Sequence, residues 1–443
     1  MSSIRFGTDG IRGKVGQSPI TVEDFNRLGQ ACCDWLQQHQ LPLSVVIGWD
    51  TRASGPELAQ AFARGFLYNR PHASVCSLGI MPTPGVSFFV SDQKASLGVS
   101  ITASHNPYTD NGLKLFNANG SKLLRTEEAV IEQLCEKKLT LSEASLDSVQ
   151  EISGKDYYLN HLKKTYSKDL LKGKQIVLDT ANGATRYTTL PLLRELGAEV
   201  IALGDQPNGI NINEHCGSEY PEQVAQKVKE TQSWLGFAHD GDGDRLVIID
   251  EKGERVDGDK ILGLLAIDLY QQNCLKNNKI VVTEQSNSGL KESLAAYGIQ
   301  TITCGIGDRE VFYALEREQS NFGGENSGHI ILRDEAPTGD GLRVLLKLLQ
   351  LAQVQPICER KKAIKLLPKC ERSMLVSHKI PLEELQQLQK IKQQLQHLPG
   401  RILVRYSGTE NKLRFLVEAE TEALCQKRMD LLQTAAKLDF KIP

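Results

Sequence analysis

Three things are missing from this sequence. Its ten cysteines include no C-x-x-C pair and no regular spacing, which excludes a disulfide framework or zinc ribbon and leaves reduced, mostly buried thiols. No apolar run reaches the roughly 18 residues that mark a membrane-spanning helix, and Met1–Gly7 lacks a charged-then-apolar leader. Charge of one sign is missing too. The 52 lysines and arginines against 54 aspartates and glutamates leave a net charge of -2, so nothing draws the whole chain to nucleic acid or an anionic membrane. Phosphate binding would have to come from local clusters, and a soluble, cytoplasmic protein is expected. The rest of the composition is ordinary, with 40% hydrophobic and 24% charged residues. At 443 residues the chain exceeds one core, and about three or four domains are expected.

What is present is an unusual run, Asp240-Gly241-Asp242-Gly243-Asp244-Arg245, between strand signals at 234–238 and 246–249. Three carboxylates this close repel one another and need a counter-charge, for which a hard divalent cation is suited. The intervening glycines let the backbone curl so that the oxygens converge. An EF-hand calcium loop also begins Asp-x-Asp-x-Asp, and Glu251 would stand at its twelfth position. Arg245 occupies the place of the turn glycine, however, and a strand follows instead of a helix, which excludes that reading. A solvated acidic turn is the remaining alternative. Mg²⁺ fits the donors and commonly shares its shell with phosphate.

A strand, a polar glycine-containing loop and a helix recur three times, starting at Val45-Val46-Ile47, Ile176-Val177-Leu178 and Ile280-Val281-Val282. The pattern implies βαβ units and mainly parallel sheets, whose ligands gather at the carboxyl ends of strands. After about 373 the pattern changes. A Gln/Leu/Lys-rich helix over 383–398, strands at 402–404 and 413–418 and a last helix from about Thr421 make a small α+β module. The stretch 354–373, with Pro356, Pro368 and five basic residues, reads as a connector.

Four further segments carry reactive or anion-binding side chains, although each alone is equally an ordinary turn. Thr102-Ala103-Ser104-His105-Asn106-Pro107 follows the strand 97–101 and offers a serine nucleophile or phosphate carrier, with Lys114 ten residues on. Phe6 to Gly13 offers Arg12 among three glycines. Gly323 to His329 sets Glu325, Asn326, Ser327 and His329 between glycines, which suits sugar hydroxyls. Arg405-Tyr406-Ser407-Gly408-Thr409-Glu410, with Arg414 nearby, makes an anion nest.

Taken together and in this order, these segments resemble the α-D-phosphohexomutase family over essentially the whole chain, Ile4 to about Glu420. The opening segment, Asp50-Thr51-Arg52, Val256-Asp257-Gly258-Asp259 and Asn326 resemble its glucosamine branch. The departures are Asn411 where the family has proline, Tyr406 beside the binding arginine, and Trp49.

The resemblance implies four domains in a heart shape with a central cleft. Three are similar α/β domains with mixed or parallel sheets (1–150, 151–252 and 253–362), and the fourth, 363–443, is α+β. It implies interconversion of glucosamine 6-phosphate and glucosamine 1-phosphate through a 1,6-bisphosphate, supplying UDP-N-acetylglucosamine synthesis; a phosphoglucomutase/phosphomannomutase of broader hexose use is the alternative. Ser104 would be the phosphoserine, put there by a kinase or by self-phosphorylation. One Mg²⁺ would sit on Asp240, Asp242, Asp244 and the Ser104 phosphate. Arg12 and Arg245 would line the transferring group, Lys114 would be the general base, and His329 a general acid/base or phosphate ligand. Glu325, Asn326 and Ser327 would hold the sugar, and Arg405, Ser407, Gly408, Thr409 and Arg414 the non-reacting phosphate. No macromolecular ligand is implied, and the chain would be a monomer or a dimer.

Overall fold

The computed structural model describes residues 4–137, 141–407 and 411–441. Four sheets follow one another along the chain. In the first, Ser44–Trp49 lies between Ser74–Ile80 and Leu97–Ile101, parallel to both. Asp110–Asn117 then pairs antiparallel with Leu97–Ile101, and Ile11–Lys14 antiparallel with Asp110–Asn117. Apolar strands covered by helices on both faces are characteristic of this arrangement, and all five residues of Leu97–Ile101 are buried.

The second sheet sets Gln175–Asp179 parallel to Glu199–Leu203 and Leu235–His239, and adds Leu246–Ile249 as an antiparallel neighbour. The third sets Lys279–Thr283 parallel to Gln300–Cys304 and Phe322–Gly324, with Ile330–Leu332 antiparallel at the edge. Three mixed α/β sheets thus share one plan. A continuous apolar cluster joins them, including Phe89, Ile176, Phe237, Ile280 and Leu345. Each such side chain contributes roughly 1.5–3 kcal/mol by burial, which holds the loops at the strand ends in a fixed relation.

The fourth sheet is wholly antiparallel, in the order Lys369–Leu375, Lys412–Glu418, Arg401–Tyr406. It corrects the connector expected over 354–373: residues 369–373 belong to a strand, and only the short helical turns Ile357–Arg360 and Lys361–Ala363 precede it. The helix expected over 383–398 is shorter, Gln386–Leu395, after a 3-10 turn at Leu382–Glu384. Two expected boundaries also cut through sheets. Gln150–Glu151 pairs with the first sheet, and Arg255–Val256 completes the second.

Candidate active site

The serine loop ends the strand Leu97–Ile101, and Ser104 holds a left-handed φ of 53°. For a residue with a Cβ that costs on the order of 1–3 kcal/mol and persists only where its surroundings fix it. Here they do. The buried Arg52 donates to the carbonyls of Asp110 (2.7 Å) and Asn106 (2.6 Å), and its own charge is paired with Asp50. Asn213 Nδ2 donates to the carbonyls of Ser104 and Asn106 at 2.8 and 2.9 Å, and the Ser104 N–H donates to Thr102 Oγ1 at 2.9 Å. Ser104 Oγ is thereby aimed at the acidic loop, where it donates to Asp240 Oδ2 at 2.6 Å.

The acidic loop is the turn between the antiparallel strands Leu235–His239 and Leu246–Ile249, with Gly243 at φ 73°. Gly183 of the second sheet presses against its backbone, and Ala184 N–H donates to Gly241 O at 2.9 Å. Any Cβ at Gly183 would stand 2.4 Å from that carbonyl, so only glycine lets the two loops approach this closely; a 3-10 turn, Ala184–Tyr187, then leads into the helix Thr189–Glu195. One oxygen from each of Asp240, Asp242 and Asp244 lies within 4.8 Å of the others, and all three residues are buried.

Asp242 Oδ1 and Asp244 Oδ1 have no hydrogen-bond partner among the described residues. Buried, orphaned carboxylate oxygens are costly, and this donor set fits a hard divalent cation. Burial first, then the neighbouring carboxylates Asp244 and Asp242, push Asp240 well above the usual carboxylate range. For Asp244 burial is again the largest influence and works in the same direction, but the surrounding cations, Lys114 foremost, together outweigh it and bring the group down to about 2.

Lys114 is not a solvated lysine. It is 1% exposed, with Nζ 2.9 Å from Asp242 Oδ2, 2.7 Å from Asp244 Oδ2 and 3.3 Å from Asp9 Oδ2. Burial opposes its charge, yet these three carboxylates hold it well above the ordinary lysine range. The glycine-rich opening runs into an edge strand that places Arg12 opposite Gly112, beside Asp9. Arg245 reaches toward Glu219 (3.9 Å) and bridges to His329 through its backbone.

Residues 324–329 form a tight turn, with Glu325 N–H donating to His329 O at 2.8 Å and Gly328 at φ 94°. Glu325 Oε1 accepts the Gly307 N–H at 3.1 Å. Burial, with Asp308 adding to it and His329 and Arg245 opposing it, raises the Glu325 carboxyl above its usual value. A cleft of about 640 Å³ gathers Arg12, Asp244, Arg245, Glu325, Ser327, His329, Arg405 and Arg414. Asn326 is not brought there. Its Nδ2 donates to Gln285 O at 3.3 Å, and the residue lines an adjoining cavity with Arg255, Lys369, Glu371 and Gln285, the last of which also lines the cleft.

Arg405 and Arg414 come from adjacent strands of the fourth sheet. Ser407 is buried beside them, its N–H on Lys412 O at 2.8 Å; Gly408 and Thr409 lie outside the described residues. Tyr406 has a clear use. Its hydroxyl donates to Ile380 O at 2.5 Å and accepts Ile380 N–H at 3.1 Å, tying the strand end to the segment that follows the strand Lys369–Leu375. Asn411 packs onto Ser377 O at 3.4 Å, and Trp49 covers Gly55 at the start of a helix.

Several participants were not evident from the sequence. Thr83 Oγ1 donates to Asp242 Oδ2 at 2.6 Å. Lys122 joins Asp9 to Asp308 across the first and third sheets, and Arg309 grips Glu128 with two hydrogen bonds of 2.8 and 2.5 Å. His105 Nδ1 is 3.4 Å from Ser104 Oγ, and burial, then Arg245 and Arg12, push that ring down to about 4.

Family models described as phosphoglucomutase/phosphomannomutase match four stretches: alpha/beta/alpha domain I over 3–141, domain II over 156–253, domain III over 257–368 and the C-terminal domain over 376–432. The phosphoglucosamine mutase of a Nitratiruptor species is 39% identical over 441 residues, covering 96% of this chain and 97% of that protein. Its counterpart from Helicobacter pylori (strain Shi470) is 40% identical over 444 residues, covering 97% and 98%. Among solved structures, a phosphoglucomutase/phosphomannomutase family protein from Burkholderia thailandensis superposes with a TM-score of 0.81 at 22% identity, covering 98% of this chain and 97% of that one. The Aspergillus fumigatus N-acetylphosphoglucosamine mutase solved with GlcNAc-6P and magnesium gives a TM-score of 0.63 at 17% identity, covering 100% and 96%.

Proposed function

The chain belongs to the phosphoglucomutase/phosphomannomutase family, and from that premise we propose that it interconverts glucosamine 6-phosphate and glucosamine 1-phosphate as an intramolecular phosphotransferase. One observation carries the reading: Ser104 Oγ sits on a buried three-carboxylate loop at one side of a cleft that also holds the arginine pair Arg405 and Arg414.

In the forward direction Ser104 carries a phosphoryl group. The C1 hydroxyl of glucosamine 6-phosphate attacks its phosphorus, forming the O1–P bond as the Ser104 Oγ–P bond breaks, and gives the 1,6-bisphosphate. The sugar turns round. Ser104 Oγ then attacks the C6 phosphate, O6 leaves and takes up a proton, and the product is glucosamine 1-phosphate with Ser104 rephosphorylated. Lys114, an ammonium in this arrangement, serves as base only in its neutral form: it takes the proton of the attacking hydroxyl, passes it to the departing Ser104 Oγ, and in the second transfer carries the Ser104 proton to O6. Arg12, Arg245 and His329 line the transferring group, and donors fixed before the reaction stabilise its spreading charge. Glu325 and Ser327 hold sugar hydroxyls, while Arg405, Arg414 and Ser407 with Gly408 and Thr409 hold the phosphate at rest.

Asp240, Asp242, Asp244 and the Ser104 phosphate would hold one Mg²⁺, which when bound neutralises charge on the transferring group. Two successive substrate orientations require a single phosphate grip that serves both, which fits its placement on a separate antiparallel unit. Among the described residues no helix is long and apolar enough to cross a membrane, and we place the reaction in the cytoplasm. The test is a product assay with glucosamine, glucose and mannose 6-phosphates side by side. The highest kcat/KM for glucosamine 6-phosphate is expected; a higher value for either hexose would replace this reading with the broader hexose mutase.

A further inference from the structure

We infer that Gly339 is a positioning residue, whose missing side chain sets where the His329 imidazole stands in the cleft. The backbone does not require glycine here, because Gly339 is not among the positive-φ positions. The neighbouring ring does. A Cβ at 339 would lie 2.4 Å from His329 Nε2 and 2.6 Å from both Cδ2 and Cε1. Near-equal distances to these three atoms put the Cβ over the face of the ring, so the imidazole lies flat on the glycine. Both ring nitrogens lack a hydrogen-bond partner among the described residues, and the nearest carboxylate, Asp308 Oδ2, is 3.6 Å from Nε2. Packing on Gly339, more than hydrogen bonding, therefore orients the ring.

The turn carrying Gly339 cannot retreat. Asp340 caps the helix Gly341–Val354 through Arg343 N–H (3.1 Å), and its other oxygen accepts from Tyr158 Oη (2.5 Å) and Arg343 Nε (3.0 Å). Gly341 N–H donates to Gly243 O of the acidic loop at 3.1 Å. A Cβ at Gly341 would meet Arg245 O at 2.5 Å and the His239 ring at 2.8 Å. The segment is wedged between the acidic loop on one side and His329 on the other. An alanine at 339 is met by a side chain on one side and a pinned backbone on the other, so the side chain moves.

This inference rests on the reading above, in which His329 acts on the transferring group. The experiment compares Gly339→Ala, His329→Ala and the double variant for kcat, KM and melting temperature, and determines the crystal structure of Gly339→Ala. The expected kcat loss for Gly339→Ala is on the order of 100-fold, the scale of a misplaced acid/base group, with a smaller change in KM and a melting temperature lowered by only a few degrees. The double variant should be no slower than His329→Ala, because the ring through which Gly339 acts is already gone. An active Gly339→Ala beside an impaired His329→Ala overturns the inference and leaves the role of His329 standing. Losses that multiply in the double variant, or a ring that has not moved in the crystal, also overturn it. A fully active His329→Ala removes both. Ring displacement is read independently of which hexose phosphate is turned over, so a failed substrate assignment is distinguishable from a failed positioning role.

Discussion

Arg405 lies directly opposite Arg414 on adjacent antiparallel strands, two like charges in register at the mouth of the cleft. Burial and then the Arg414 charge depress the proton affinity of Arg405. Like charges directly opposite one another in a sheet destabilise it, and a phosphate dianion between them reverses the sign of that term. Arg414→Gln should therefore reduce the rise in melting temperature that a hexose phosphate gives, while increasing KM roughly 10- to 100-fold, the equivalent of about 1.4–2.8 kcal/mol. Thermal melts with and without a hexose phosphate, alongside steady-state kinetics, check both halves. An unchanged KM would remove Arg414 from the phosphate grip.

Ser104 is expected to carry stoichiometric phosphate in active protein. Its left-handed backbone and its hydrogen bond to Asp240 are maintained by Arg52 and Asn213, a construction that an inert turn would not need. Ser104→Ala should lose nearly all turnover without loss of fold. Intact-mass measurement and peptide mapping decide the matter; phosphate on another residue, with Ser104→Ala active, would sink the assignment.

Asp242→Asn should shift the Mg²⁺ activation curve to higher concentration. The substitution removes one negative charge from a set in which Asp242 Oδ1 and Asp244 Oδ1 lack a hydrogen-bond partner among the described residues, and it weakens the seats of Lys114 Nζ and Thr83 Oγ1. Loss of even a group that only supports a metal ligand costs roughly 10- to 100-fold in affinity, so a shift of at least that size is expected. An unchanged titration would reduce the loop to an acidic turn.

The acidic loop could be read directly from sequence because all its carboxylates fall within six residues flanked by two strands. Ser104 could be read only in company with the other segments, since one Ser-His pair in a turn is common. Lys114 gave no local signal; its burial comes from a strand pairing that faces it to carboxylates 128 and 130 residues away. Asp9, Lys122 and Asp308 were invisible for the same reason, their contacts spanning 113 and 186 residues. The strand Lys369–Leu375 was missed because it lies at the edge of a half-exposed sheet and carries polar residues such as Lys369, Glu371, Arg372 and Ser373, a composition that resembles a linker.

Asp259 should make the fold less stable as pH rises. Fully buried, with Oδ2 accepting the Asn287 N–H at 2.8 Å and Oδ1 unpartnered among the described residues, it is raised by burial from 3.8 to about 7. Between those values the folded chain keeps a proton that the unfolded chain has released, so stability falls across that window and levels off above about 7. At 1.36 kcal/mol per pKa unit the effect is roughly 4 kcal/mol at most. Asp259→Asn keeps an acceptor for Asn287 and cannot ionise. The difference in melting temperature between wild type and variant, followed from pH 4 to 8, should change steadily to near pH 7 in favour of the variant. A constant difference would mean that Asp259 is not protonated in the fold.

On the proposed reading substrate choice turns on the loop 323–329: a carboxylate such as Glu325 accepts from both a hydroxyl and an ammonium, so a preference for glucosamine is expected from the Asn326 amide and from how the loop seats the sugar's second carbon. The structure engages the Asn326 amide with Gln285 O, a residue that lines both the cleft holding Glu325 and Ser327 and the adjoining cavity that Asn326 lines. Any influence of Asn326 on the sugar must then pass through the seating of the turn, which Gly258 supports by close approach to the Asn326 backbone. Asn326→Met loses one long hydrogen bond of 3.3 Å, worth about 0.5–1.5 kcal/mol. The ratio of kcat/KM for glucosamine 6-phosphate to that for glucose 6-phosphate should therefore move by less than about tenfold. Glu325→Gln should reduce the ratio further than Asn326→Met, because an ammonium gains from the carboxylate's charge and a neutral hydroxyl does not. Discrimination of this kind amounts to roughly 1–3 kcal/mol, so residual glucose turnover is expected in the wild type. A ratio that collapses in Asn326→Met and survives in Glu325→Gln would return the discrimination to the amide.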